Sequence, residues 1–310
     1  MVPIYGGSRM AAIVTGGAGG IGRAVALALA ADGHPVGVND TGVALDGSAA
    51  GAGPAEAVAE EVRAAGGRAL AVDVDARTRA GAEAVRDAVE AWAGEPPSVL
   101  VHAAGTLRDR MVHKATDDDW AEVLGSHLSV AIELTRALAP TMRRDGYGRI
   151  VYLGGTAGLV GSVGQAAYAV AKAGLFGLTR AVALELATRD VCVNYVAPSA
   201  FTRMTESIPP ATEQLRRYLD TAPAARPADI APLIAWLCSP AAAGVSGQVF
   251  GARAAEIALW SQPRPAVRLV DPAGWTAESL DAARATLEPN LVPLESEWDL
   301  FGGPPVAVGG

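Results

Sequence analysis

The chain has 310 residues, half of them hydrophobic, and a formal net charge of -8. That length supports one or two domains with a full core, and a dispersed acidic excess with no basic stripe argues against nucleic acid as a partner. No apolar run reaches the roughly 18 uncharged residues of a membrane helix, and residues 1–9 lack the apolar centre of a secretion signal, so the expectation is a cytoplasmic protein, off the membrane, with Cys192 and Cys238 reduced.

In chain order, residues 11–15 read as a first strand and 21–32 as a helix stopped by Gly33. Residues 34–40 are a second strand, followed by a glycine-rich loop over 41–54. A helix over 55–65 stops at Gly66-Gly67, and 68–73 is the third strand. A helix to about Trp92 and a Pro96-Pro97 turn lead to strand 99–102. One long helix is predicted over 117–145, kinked or broken at Pro140. Strand 149–154, helix 165–188 and strand 191–196, closed by Pro198, complete the regular part. A short charged helix, 213–219, follows Pro209-Pro210; helix 230–238 and a last strand, 247–251, come after it.

Strands separated by helix-length crossovers predict an α/β fold: a doubly wound, Rossmann-type parallel sheet with helices on both faces. The predicted organisation is a flexible extension over 1–9, one domain over 10–251, and a C-terminal extension over 252–310. That extension, with Trp260, Trp275 and Trp298, is read as an arm on the body or on a neighbouring subunit.

Ligands in such sheets sit at the carboxyl ends of the strands, and the motifs fall there. Thr15-Gly16-Gly17-Ala18-Gly19-Gly20-Ile21-Gly22 joins the first strand to the first helix. Glycines let the backbone approach a pyrophosphate, and the helix start supplies free N–H groups. Asp40 ends the second strand, where an acid accepts hydrogen bonds from the adenosine ribose and repels a 2′-phosphate, which favours NAD over NADP. Asp73 ends the third strand, within reach of an adenine amino group. Tyr168 and Lys172 stand four apart at the start of a predicted helix and so share a face. A phenol of reference pKa near 10 becomes a usable acid/base when an ammonium lies beside it. His34, His102, His113 and His127 are scattered without metal-ligand spacing, so no metal site is expected.

Together and in this order, these residues resemble the short-chain dehydrogenase/reductase family over about 11–251, with His102-Ala103-Ala104-Gly105 in the place of that family's Asn-Asn-Ala-Gly. Val38-Asn39-Asp40, Leu107-Arg108-Asp109-Arg110-Met111 and Ala200-Phe201-Thr202-Arg203-Met204-Thr205 are similar to bacterial relatives of the peroxisomal multifunctional (3R)-hydroxyacyl-CoA and 17β-hydroxysteroid dehydrogenases. The resemblance implies an NAD(P)-linked oxidoreductase acting on a secondary alcohol or ketone of a bulky small molecule, as a homodimer or homotetramer formed partly through the two long helices. It implies Tyr168 and Lys172 as catalytic. It extends the cofactor set beyond Gly16, Gly20, Ile21, Gly22, Asp40 and Asp73 to Val74, Ala104, Gly105, Pro198 and Thr202. The segment 202–227 takes the place of the family's substrate lid.

The sequence departs from the family where a catalytic serine is expected, 13 residues before the tyrosine: Gly155 stands there, with Thr156 next and Ser162 farther along. The relay asparagine is replaced by His127. Losing a comparable oxyanion donor costs roughly 3–4 kcal/mol. Thr156 or Ser162 is the expected stand-in. The alternative is a scaffold turned to non-redox work, as a dehydratase, isomerase or cyclase, or a silent subunit that binds a partner.

Overall fold

The structure, a computed structural model, describes residues 10–42, 53–202 and 225–292. The expectations for residues 1–9, for most of the glycine-rich loop, for helix 213–219, for Arg203-Met204-Thr205 and for Trp298 lie outside the described residues.

Eight strands form one sheet: β1 (Ala12–Thr15), β2 (Pro35–Asn39), β3 (Arg68–Val72), β4 (Val99–His102), β5 (Tyr147–Leu153), β6 (Asp190–Ser199), β7 (Val249–Arg253) and β8 (Glu256–Leu259). Their order is β3-β2-β1-β4-β5-β6-β7-β8. The first seven run parallel, and β8 closes the edge antiparallel to β7. The central strands are runs of buried Val, Ile, Leu and Ala, as a sheet covered on both faces requires. One face is covered by α1 (Gly20–Ala31), α2 (Pro54–Ala64) and α8 (Pro227–Cys238), through side chains such as Val25, Val58 and Ile234. The other is covered by α3 (Arg79–Ala93), α5 (Val130–Asp145) and α7 (Ala166–Glu185), through Val85, Leu134 and Leu175. Helix α7 is long and apolar enough to cross a membrane by length and composition, yet Leu175 and Val182 are part of the core. Both cysteines are buried and free.

The predicted doubly wound sheet is the observed one, with three differences in detail. The long helix 117–145 is interrupted, but not at Pro140. It consists of α4 (Asp117–Leu124), a π turn over Gly125–Ser129, and α5. Pro140 lies inside α5 on its exposed side, where Arg136, the residue one turn before it, is exposed too. Strand β6 does not stop before Pro198 but runs through it to Ser199, and Pro198 is in register with Ala252. The extension after 251 contributes β8 and, farther on, α9 (Ala277–Leu287), which buries none of its residues. The β7–β8 hairpin turns at Ala254 with φ +47°, a conformation that a glycine or asparagine would have announced and an alanine does not.

Candidate functional site

The strand order reverses between β1 and β4, and the helices that follow them leave on opposite faces. A cleft of about 350 Å³ opens there at the carboxyl ends of the strands. Of the residues singled out for a cofactor, Gly16, Gly20, Ile21, Gly22, Asp40, Val74, Ala104, Gly105, Pro198 and Thr202 all line it. Asp73 does not: it is exposed after β3 and outside the lining, whereas Asp75, two residues later, is part of the wall.

The glycine loop fits a dinucleotide on steric grounds. Gly16 has φ +63°, and a Cβ there would stand 2.7 Å from the backbone of Ala104. A Cβ on Gly22 would stand 2.1 Å from the Gly16 carbonyl oxygen. The N-cap of α1 is Gly19, which offers no side-chain cap and leaves the first-turn N–H groups open to an anion. The Asp40 carboxylate is fixed on both oxygens, accepting from Ala18 N at 3.1 Å and from Gly42 N at 2.9 Å. Asn39 ties the loop to the next strand by donating to the carbonyls of Val72 and Val74, both at 2.9 Å.

His102 shows what a histidine can do at the first position of the altered motif. It is buried. Its Nε2–H donates to the His127 carbonyl at 2.6 Å, and its Nδ1 accepts from Thr15 Oγ1 at 2.8 Å. Thr15 Oγ1 in turn accepts from Ala104 N at 3.3 Å. Burial, with a smaller push from Lys172, brings the His102 pKa down to about 3, so the ring is neutral. The chain of bonds joins β1, β4 and the π turn at the cleft floor. The paired donor and acceptor that it needs were not read from the sequence.

The acid/base candidates meet on the other side of the cleft. Tyr168 and Lys172 lie in the first two turns of α7, with the ammonium 5.3 Å from the phenol ring centre. Lys172 is buried, donates to the Leu153 carbonyl at 2.6 Å, and is pushed by desolvation down to about 7. The π turn presents His127 edge-on to Tyr168, ring centres 5.3 Å apart. His127 Nε2–H donates to the Thr106 carbonyl at 2.9 Å, while its Nδ1 is buried with no partner. Burial and the Lys172 charge hold its pKa well below the usual value, so this ring is neutral too.

Gly155 faces this group. A Cβ built on it would sit 3.2 Å from Tyr168 Oη and 3.6 Å from Lys172 Cγ. Thr156, at the start of α6 (Ala157–Val160), lines the cleft, whereas Ser162 does not. The buried Tyr195 was missed entirely: its hydroxyl accepts from Gly155 N and donates to Gly155 O, each at 2.8 Å. Nothing in its position along a buried strand distinguishes it from a core tyrosine.

With this geometry in hand, comparison with known proteins is specific. The family model described as enoyl-(acyl carrier protein) reductase matches residues 16–252. The hydroxyacyl-CoA dehydrogenase ChsB1 of Mycobacterium tuberculosis is 37% identical, over 89% of this chain and 87% of that protein. The mouse peroxisomal multifunctional enzyme type 2 is 38% identical over 73% of this chain, which spans 29% of that much longer protein. Among solved structures, a short chain dehydrogenase from Mycobacterium avium superposes with a TM-score of 0.78 at 34% identity, covering 93% of this chain and 97% of the other.

Proposed function

Because the chain belongs to the short-chain dehydrogenase/reductase family, and is therefore an oxidoreductase served by a nicotinamide cofactor, we propose that it interconverts a secondary alcohol and a ketone on a bulky acyl thioester, with NAD preferred. The observation that carries this reading is the placement of the Tyr168–Lys172 pair and the Gly16–Gly22 loop on one cleft. The substrate class rests on the relatives, whose names include a hydroxyacyl-CoA dehydrogenase.

When bound, the nicotinamide supplies the acceptor or donor of hydride. The chain's residues do the rest. The open N–H groups at the start of α1 hold the pyrophosphate, and Asp40 accepts from the ribose hydroxyls and repels a 2′-phosphate. Tyr168 Oη takes the alcohol proton as the carbonyl forms, or returns it in reduction. Lys172, in its charged form, favours the phenolate. His127 holds its side of the site as a neutral ring, with Nδ1 buried beside the phenol. Thr156 is the proposed donor to the substrate oxygen in place of the serine hydroxyl. The two buried free thiols suit a reducing, cytoplasmic compartment. A homodimer or homotetramer, with 252–310 as an arm on the 10–251 domain or its neighbour, is the assembly we infer.

The test is nicotinamide absorbance with NAD⁺ and NADP⁺ against 3-hydroxyacyl-CoAs and hydroxysteroids. Turnover is expected with NAD⁺, falling about 10²- to 10⁴-fold in Tyr168→Phe. Parental turnover in that variant would remove Tyr168 from the chemistry. A second reading is favoured by Gly155, which puts no hydroxyl of its own opposite the phenol: a non-redox dehydratase, isomerase or cyclase. Product formed without any change in nicotinamide absorbance would select it.

A further inference from the structure

The ring of Tyr195 occupies the space that a side chain at position 154 would fill. A Cβ built on Gly154 would stand 1.8 Å from Tyr195 Cζ. The two residues are therefore complementary: the bulk missing from the end of β5 is supplied by the neighbouring strand, β6. The ring is fully buried and meets Phe176 of α7 edge-on, centres 6.3 Å apart. Its hydroxyl then brackets Gly155, accepting from the N–H and donating to the carbonyl, each at 2.8 Å.

What it brackets is a glycine pair in the wall of the site. Gly154 and Gly155 are consecutive glycines, and glycine loses more conformational freedom on ordering than any other residue. The residue before them, Leu153, carries the carbonyl that receives the Lys172 ammonium. The residue after them, Thr156, lines the cleft. Gly154 N is fixed by the Val196 carbonyl at 2.7 Å, and Gly155 by Tyr195, so two adjacent residues of β6 hold the whole turn. Burial keeps the Tyr195 phenol protonated and thus a donor.

We propose that Tyr195 is a positioning residue for the reaction, clamping the Gly154–Gly155 turn so that Leu153 and Thr156 stay in place around the Tyr168–Lys172 pair. It does through the backbone what side chains at 154 and 155 would otherwise do. The role in turnover rests on the function proposed above, whereas the clamp itself does not.

The experiment compares Tyr195→Phe, which keeps the ring and removes both hydrogen bonds, with the parent. Three quantities are read: amide exchange of the 150–160 segment, steady-state kinetics with NAD⁺ and a 3-hydroxyacyl-CoA, and the pH profile of kcat. Expected are exchange at 154–156 accelerated about 10-fold or more, kcat lowered about 10-fold with KM for NAD⁺ within about 2-fold, and a shifted limb in the pH profile. A tyrosine that only fills the core would lower thermal stability and leave the profile and the kcat-to-KM split alone. Parental exchange at 154–156 overturns the clamp, and parental kcat with a parental profile overturns the positioning role. Gly154→Ala, whose methyl collides with the ring, is the second variant and is expected to reproduce the same pattern; parental exchange and kinetics in that variant overturn the proposal equally. If the parent transfers no hydride, the proposed function fails, and the exchange measurement still decides the clamp.

Discussion

The two halves of the cleft are built on opposite principles. At the β1–β2 end, shape is set by what is missing: Gly16 and Gly22 face backbone atoms so closely that a methyl group has nowhere to go. At the β5–β6 end, shape is set by side chains that reach in from neighbouring elements. A glycine faces the phenol, a tyrosine from the next strand fills the hole, and a neutral histidine sits at the π turn. The first half admits almost no variation. The second places its Tyr–Lys pair among side chains from three separate elements, β6, α7 and the π turn.

The largest expected effect on cofactor binding lies in the rigid half. Gly22→Ala drives a methyl into the Gly16 carbonyl and should weaken NAD⁺ binding by roughly 100-fold, since an overpacked site costs about 1–3 kcal/mol. Calorimetric titration checks it, and near-parental affinity would mean that the loop yields more easily than its contacts suggest. In the second half the change should go the other way. Gly155→Ser fits with a few tenths of an ångström of adjustment and sets a hydroxyl beside Tyr168, so kcat should rise about 10- to 100-fold if Thr156 is a poor donor. An unchanged kcat would show that the donor's task is already filled.

The smallest effect is one of stability. Lys172 has its folded pKa depressed by burial to about 7 from the ordinary 10.5, so the unfolded chain binds the extra proton over that interval. The cost of keeping this lysine is fully present below pH 7 and is relieved as pH rises toward 10.5. Lys172→Met should therefore raise Tm by roughly 2–4 °C at pH 6, with the gain shrinking in alkaline buffer. A loss of Tm at pH 6 would mean that the bond to the Leu153 carbonyl outweighs the burial of the charge.

The same contrast explains what the sequence made legible. The parallel sheet, the glycine loop, Asp40 and the Tyr168–Lys172 pair follow from local patterns: β-branched runs, glycine spacing, residues four apart. Gly155 too was visible, as a gap at a fixed distance from Tyr168. Tyr195 was not, because its meaning depends on a residue 40 positions away in the chain, beside it only through strand pairing. The Thr15–His102–His127 chain was hidden for the same reason. Asp73 lies outside the cleft lining, one residue past the end of β3 and exposed, whereas the sequence pattern places it on the strand. The hairpin at Ala254 carried no turn residue to announce it.

The π turn over Gly125–Ser129 has a consequence of its own. An α-helix turns about 100° per residue, and a π turn accommodates one residue more than the α-helical count. Helices α4 and α5 are thus out of phase by about that angle: α4 shows one face to α7, while α5 shows a face to α3 and β5 that an unbroken helix would have pointed elsewhere. The turn works as a phase shifter between two packing surfaces, with His127 carried at the shift. Such a segment tolerates a change of side chain far better than a change of length. Removing one residue between 125 and 129 would straighten the helix and rotate every core contact of α5 at once.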